Sequence, residues 1–155
     1  LLNMTVDDSI KFFRKYNQTK IVNKLLPLQS VGLGYVSLGQ SSNTLSGGEA
    51  QRIKLASFIG KGDQIDKTFF IFDEPTTGLH FHDVKKLLNT FDKLIRMGHS
   101  ILVIEHNLDM ISCADHIIDL GPEGGDKGGN IIAEGRPVEF IMIKSSYSGQ
   151  YLKKK

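Results

Sequence analysis

Phe69-Phe70-Ile71-Phe72-Asp73-Glu74-Pro75-Thr76-Thr77-Gly78-Leu79-His80 is the stretch on which the reading of this chain turns. Thr68 to Phe72 is short, apolar, aromatic and β-branched, the pattern of a strand buried on both faces. It runs into two adjacent carboxylates, an uncommon ending because carboxylates favour solvent. Taken alone, this describes equally well a strand leaving the core for a polar turn. In a functional reading the two acids do different jobs, since neighbouring side chains on extended backbone point in opposite directions. Asp73 is placed to orient hydrated Mg²⁺, and Glu74 to hold and deprotonate an attacking water. Pro75 and Gly78 make the following segment a rigid turn.

Downstream, Val84, Leu87, Leu88, Phe91, Leu94 and Ile95 recur in steps of three and four, which predicts a helix over Asp83 to Met97. Ser100 to Ile104 reads as a second buried strand. Strand, long helix, strand implies a right-handed parallel crossover and an α/β class. Val103-Ile104-Glu105-His106-Asn107 places His106 just past that second strand. A lone histidine there is more often structural or merely exposed. Beside a strand ending in Asp73 and Glu74 it becomes a candidate for a phosphate contact, because parallel sheets place ligands at the C-terminal ends of their strands. Asn107 is expected to cap a short helix over Leu108 to Ala114. His116 to Leu120 and Asn130 to Glu134 are further strand candidates, joined by the glycine-rich loop Gly121 to Gly129.

Upstream, Leu45-Ser46-Gly47-Gly48-Glu49 is followed by Gln51 and Arg52. Ser46 with Glu49 three residues on is a capping box, and Ser-x-x-Glu by itself says no more than that. The two glycines add bare backbone N–H groups at the positive end of a helix, and the serine hydroxyl adds another donor, a chemistry suited to gripping phosphate. Ile53, Ala56 and Ile59 would line one face of that helix. Earlier, Thr5 and Asp8 mark another helix start, with Ile10, Phe12 and Phe13 as its apolar side. Ile21, Leu25 and Leu28 have helical spacing, and Gly32 to Asn43 reads as a loop.

Composition excludes several classes. The chain has 155 residues, 40% of them apolar, and a formal net charge of +2. That balance neither requires nor forbids a nucleic-acid partner, and Lys153-Lys154-Lys155 reads as a solvated basic end. Cys113 is the single cysteine, so no disulfide framework and no cysteine-based zinc site can form within the chain, which fits a reducing, cytoplasmic setting. No apolar run approaches the ~20 residues that span a bilayer, so no membrane partner is expected. No signal peptide is evident, and a start at Leu1 rather than Met suggests an excised fragment.

The four blocks, Ser46 to Glu49, Phe69 to Glu74, Pro75 to His80 and Val103 to Asn107, stand in the order signature, Walker B, D-loop and H-loop. Jointly they resemble an ABC-type ATPase domain, far more specifically than any one block does. Within that class the chain is similar to the second nucleotide-binding domain of the UvrA family, damage-sensing ATPases of bacterial nucleotide excision repair. The similarity rests on Thr77-Gly78-Leu79-His80 where transporter domains have a turn like Ser-Ala-Leu-Asp, on Val31-Gly32-Leu33-Gly34-Tyr35-Val36-Ser37-Leu38-Gly39-Gln40, and on Ile117-Ile118-Asp119-Leu120-Gly121-Pro122-Glu123-Gly124-Gly125. It runs from Met4 to about Phe140.

The resemblance implies a role for each matching position. Ser46, Gly47 and Gly48, with Gln51 counted among the nucleotide-binding set, would engage the γ-phosphate of ATP held by an opposing domain. Asp73 would serve Mg²⁺ through water, Glu74 would be the catalytic base, and His106 the switch histidine. ATP and Mg²⁺ are the implied cofactors. The second ABC domain of the same protein, a UvrA homodimer, UvrB and damaged double-stranded DNA are the implied partners. Residues 1–45 would form a helical segment leading to the signature, and residues 46–155 the C-terminal portion of the ATPase domain.

No Gly-x-x-x-x-Gly-Lys-Ser/Thr occurs in the chain. The expected fold is therefore an incomplete P-loop NTPase domain, with a helical signature segment, a parallel core sheet and the Walker A part absent. By the resemblance, the P-loop, Q-loop and a CxxC zinc module lie upstream, and the chain alone is expected to be inactive. The alternatives are the nucleotide-binding subunit of an ABC transporter, disfavoured by His80 and the Gly-Pro-Glu-Gly-Gly segment, and a non-catalytic interaction domain, disfavoured by the intact Glu74 and His106.

Overall fold

The computed structural model describes residues 1–61, 66–121, 123 and 128–153. Pro122, Gly124 and Gly125 of the glycine-rich segment, and Lys154 and Lys155 of the basic end, lie outside the described residues. The chain forms two compact units, Leu1–Glu105 and His106–Lys155.

The first unit begins with α1 (Val6–Lys15) and α2 (Thr19–Ser30). Thr5 caps α1: its Oγ1 accepts from the Asp8 backbone N–H at 3.1 Å and donates to Asp8 Oδ2 at 2.9 Å. Asp7 and Asp8 in the first turn and Arg14 and Lys15 in the last complement the helix dipole. Asn17, at φ 54°, ends the helix in the left-handed region that asparagine tolerates. Its N–H donates to the Arg14 carbonyl and that of Gln18 to the Phe13 carbonyl, a Schellman closure that satisfies two terminal carbonyls. Val6, Ile10 and Val22 are buried between the two helices, with Phe13, Leu25, Leu26, Leu28 and Leu38 packed around them.

After a short 3-10 turn at Ser42–Thr44 comes α3 (Gly47–Ile59), then β1 (Phe69–Asp73), α4 (Phe81–Arg96) and β2 (Ser100–Ile104). The strands pair in parallel, with Phe69 opposite Ser100 and Asp73 opposite Ile104. Parallel strands need a long crossover, and α4 supplies it. Its Val84, Leu87, Phe91 and Leu94 are buried, and the Phe91 ring lies 4.9 Å from that of Phe72 on β1. Fully burying a side chain such as Leu87 contributes about 1.5–3 kcal/mol. Gly98, at φ 91°, closes the helix with the same double bond pattern, Gly98 N–H to Ile95 and His99 N–H to Leu94, and turns the chain into β2.

Two expectations fail here. The strands are not buried on both faces: Phe69 and Ile71 are each 61% exposed, while Phe72 is 4% exposed. A two-stranded sheet with α3 and α4 packed against one side leaves its other apolar side open. The buried face of α3 is also displaced from Ile53, Ala56 and Ile59 to Arg52, Leu55 and Ala56. The first turns of that helix pack on polar backbone rather than on an apolar core, so the apolar spacing alone misplaces the inner face.

The second unit holds α5 (Leu108–Ser112), β3 (Ile117–Gly121), β4 (Asn130–Gly135), α6 (Pro137–Phe140) and α7 (Tyr147–Leu152). Asn107 Oδ1 accepts from the N–H groups of Asp109 and Met110, the cap expected from sequence. β3 and β4 form an antiparallel ladder with a register shift between Asp119 and Leu120. Asp119 ties it to α7 by accepting from the Ser146 hydroxyl at 2.5 Å and the Ser148 hydroxyl at 3.2 Å. Among the described residues no helix is long and apolar enough to cross a membrane.

Candidate functional site

The signature forms as its residues dictate. Ser46 Oγ accepts from the Glu49 N–H at 3.3 Å, and Glu49 Oε2 accepts from the Ser46 N–H at 2.8 Å, so the capping box is complete. The two glycines behave differently. A methyl group on Gly47 would meet nothing within 4 Å. On Gly48 it would lie 3.1 Å from Arg52 Nη1 and 3.3 Å from the Glu74 carbonyl oxygen. Ser46 and Gly47 are exposed, whereas Gly48 is buried.

That contact joins the signature helix to the strand end of its own chain. The start of α3 packs directly on the turn that follows β1. Arg52, 0% exposed, donates from Nη1 to the Pro75 carbonyl at 2.5 Å and to the Thr77 carbonyl at 3.3 Å. Gln51 Oε1 accepts from the Asp73 N–H at 3.2 Å. Glycine at 48 is the residue that lets the helix approach this closely.

Asp73 ends β1, and both Asp73 and Glu74 are exposed. Glu74 is not extended: its φ is 47°. A non-glycine residue in the left-handed region is uncommon and costs of order 1–3 kcal/mol unless its surroundings impose it. The surroundings here are specific. The Glu74 N–H donates to the Ile104 carbonyl at 2.9 Å, and the Thr77 N–H returns to the Glu74 carbonyl at 3.1 Å. The chain therefore leaves the extended conformation at Glu74, and the alternation of a strand does not set the direction of its side chain. Thr77 Oγ1 donates to Glu74 Oε2 at 3.4 Å.

Glu105 carries no role in the sequence reading, yet its Oε1 accepts from the Thr76 N–H at 2.7 Å, tying the end of β2 to the same turn. Its position directly before His106 was the only available signal. His106 is exposed and opens the second unit between β2 and α5. The structure thus gathers Ser46, Gly47, Gly48, Gln51, Asp73 and Glu74 within the first unit around one turn.

A further polar group lies beside the signature. Tyr35 donates its hydroxyl hydrogen to Glu49 Oε1 at 2.6 Å and accepts from Arg52 Nη2 at 3.4 Å. The Tyr35 bond, then that from the Ser46 backbone, hold the Glu49 carboxyl below its usual pKa. Burial, reinforced by Glu49, pushes the Tyr35 phenol above its usual value.

Among the described residues no group of three or more His, Cys, Asp or Glu side chains could hold a metal ion. Asp73 with its exposed carboxylate fits a hydrated Mg²⁺ carried largely by phosphates and water, the way this ion is commonly bound.

No protein-family model matches the chain. The fold is shared with a solved bacterial Atm1-family ABC exporter with ATP bound, which superposes with a TM-score of 0.56 at 20% identity, over 99% of this chain and 26% of its own. The UvrA2 crystal structure from Deinococcus radiodurans superposes more closely, with a TM-score of 0.81 at 38% identity over 99% of this chain and 18% of that one. UvrABC system protein A of Clostridium acetobutylicum is 60% identical over 99% of the chain, and that of Lactococcus lactis subsp. lactis 56% identical over all of it. The chain is similar over its whole length to a part of UvrA-family proteins, and it spans 16% of the length of these curated relatives.

Proposed function

We propose that the chain is the signature-to-switch-histidine part of the second ATP-hydrolysing domain of a UvrA-type protein, acting in the cytoplasm in bacterial nucleotide excision repair. The observation that carries the reading is Glu74: a carboxylate at the end of a parallel strand, held at φ 47° beside Asp73 by a turn clamped from two sides. Such strain is kept where it serves function. In this reading Asp73 orients the water shell of Mg²⁺, and Glu74 takes a proton from the attacking water. His106 contacts the γ-phosphate, while Ser46 and Gly47 donate hydrogen bonds to ATP on the opposing domain. Mg²⁺, when bound with ATP, neutralises charge on the transferring phosphoryl group. A second ABC domain, a UvrA homodimer, UvrB and damaged double-stranded DNA are the partners this reading entails. The open apolar face of Phe69, Ile71, Leu102 and Ile104 supports it, as a surface for further strands of the same domain.

The isolated chain should not turn over ATP, because its sequence has no Gly-x-x-x-x-Gly-Lys-Ser/Thr loop to cradle the α- and β-phosphates. In a full-length protein carrying this segment, Asp73→Asn should abolish Mg²⁺-dependent hydrolysis while metal-free nucleotide binding persists. Unaltered Mg²⁺-dependent turnover in that variant would contradict the reading.

A further inference from the structure

Tyr35 belongs to none of the four blocks that carry the ATPase reading, yet its hydroxyl joins two of them. Four hydrogen bonds run in sequence: the Ser46 N–H to Glu49 Oε2, the Tyr35 hydroxyl to Glu49 Oε1, Arg52 Nη2 to the Tyr35 oxygen, and Arg52 Nη1 to the Pro75 carbonyl. The series starts at the exposed cap of the signature and ends on the turn that holds Glu74. The 2.6 Å bond to Glu49 is short and charge-assisted, and it draws the phenol hydrogen towards the carboxylate. The phenol oxygen becomes the more negative for it and turns a lone pair to the guanidinium. The Arg52 bond to it is the longest of the four at 3.4 Å, so the positive charge of Arg52 sustains it.

The guanidinium has little else. It is completely buried, and its Nε–H has no hydrogen-bond partner. Removing the phenol oxygen leaves a second guanidinium group unsatisfied and frees Glu49 from one of its two anchors. Buried N–H groups without partners are costly enough to make a side chain move. Here the side chain that moves is the one fixing the Pro75 and Thr77 carbonyls.

We propose that Tyr35 is a positioning residue for ATP hydrolysis, linking the signature cap at Ser46 to the turn that carries Glu74. The link passes through Glu49 and Arg52 within one chain. A displacement of Ser46, when it engages phosphate on the opposing domain, is thereby felt at the residue that activates water. The proposal rests on the ATPase reading given above.

The test uses a full-length protein carrying this segment, with Tyr35→Phe, Arg52→Lys and Glu74→Gln compared for ATP turnover, KM and melting temperature. Tyr35→Phe keeps the ring and removes only the oxygen, at a half-exposed position, so the protein should still fold, with a modestly lowered melting temperature. Assayed well below that temperature, it should lower kcat about tenfold, the scale of one hydrogen bond, with KM unchanged. Arg52→Lys keeps the charge but not the fork, and should lower kcat at least as far. Unchanged kcat in Tyr35→Phe, or a loss that merely follows melting temperature, overturns the proposal. Full hydrolysis by Glu74→Gln overturns instead the reading beneath it.

Discussion

Arg52 Nη1 reaches the Pro75 carbonyl at 2.5 Å, and this bond fastens the signature helix to the turn behind the Asp73-Glu74 strand end. A buried guanidinium is expensive to desolvate unless its donors are met. Here two main-chain carbonyls meet Nη1 and the Tyr35 hydroxyl meets Nη2, so the two elements hold one relative position within the first unit. The two signature glycines consequently face different surroundings.

Gly47 and Gly48 should respond differently to the same substitution. Alanine gains helix propensity at both, but only at position 48 does the methyl group press on Arg52 and the Glu74 carbonyl. Gly48→Ala should be about 1–3 kcal/mol less stable than Gly47→Ala in denaturant unfolding. Gly47→Phe should leave the melting temperature of the chain unchanged while blocking hydrolysis by a full-length protein that carries it. Equal stabilities for the two alanine variants would show that α3 does not approach the turn this closely.

Glu105 should matter through its acceptor oxygen. Glu105→Ala strips the buried Thr76 N–H of its partner and should cost about 1–2 kcal/mol, towards the lower end for a charged acceptor at a half-buried site. Glu105→Gln retains a carbonyl oxygen at the same reach and should recover most of that loss. Chemical denaturation of the three proteins checks the order; a glutamine variant as unstable as the alanine variant would contradict it.

The Tyr35–Glu49 pair predicts an acid response. The folded chain holds Glu49 below its ordinary pKa, so its contribution to stability is present above the ordinary carboxylate range and is lost as pH falls through the lowered value. Tyr35→Phe removes the largest cause of that lowering. The Glu49 titration, followed by NMR in the chain, should move to higher pH in the variant. An unmoved titration would mean that the phenol does not hold the carboxylate in solution.

Local features were legible because their causes are local. The Thr5 cap, the Ser46–Glu49 box and the Asn107 cap each pair groups two to three residues apart. The parallel pairing of β1 with β2 followed from the helix between them. That Ser46 caps a helix and Asp73 ends a strand was readable from residue type and order. What sequence did not reveal depends on distant partners: Arg52 meets Pro75 across 23 positions, and Thr76 meets Glu105 across 29. The strand reading of Asp73-Glu74 missed the left-handed Glu74, because glutamate carries no local preference for that region and the turn imposes it. Apolar residues on both faces of β1 and β2 marked an intent to be buried that a two-stranded sheet does not meet.

The measurement that bears most directly on the role of Glu74 is single-turnover ATP hydrolysis by a full-length protein carrying Glu74→Gln, alongside equilibrium ATP binding. Glutamine keeps the size and the acceptor oxygen at φ 47° but cannot take a proton. Binding should be retained and hydrolysis should fall by at least ~10²-fold, the scale of a lost general base. Hydrolysis at the unmodified rate, with ATP bound, would remove Glu74 from the chemistry and the account with it.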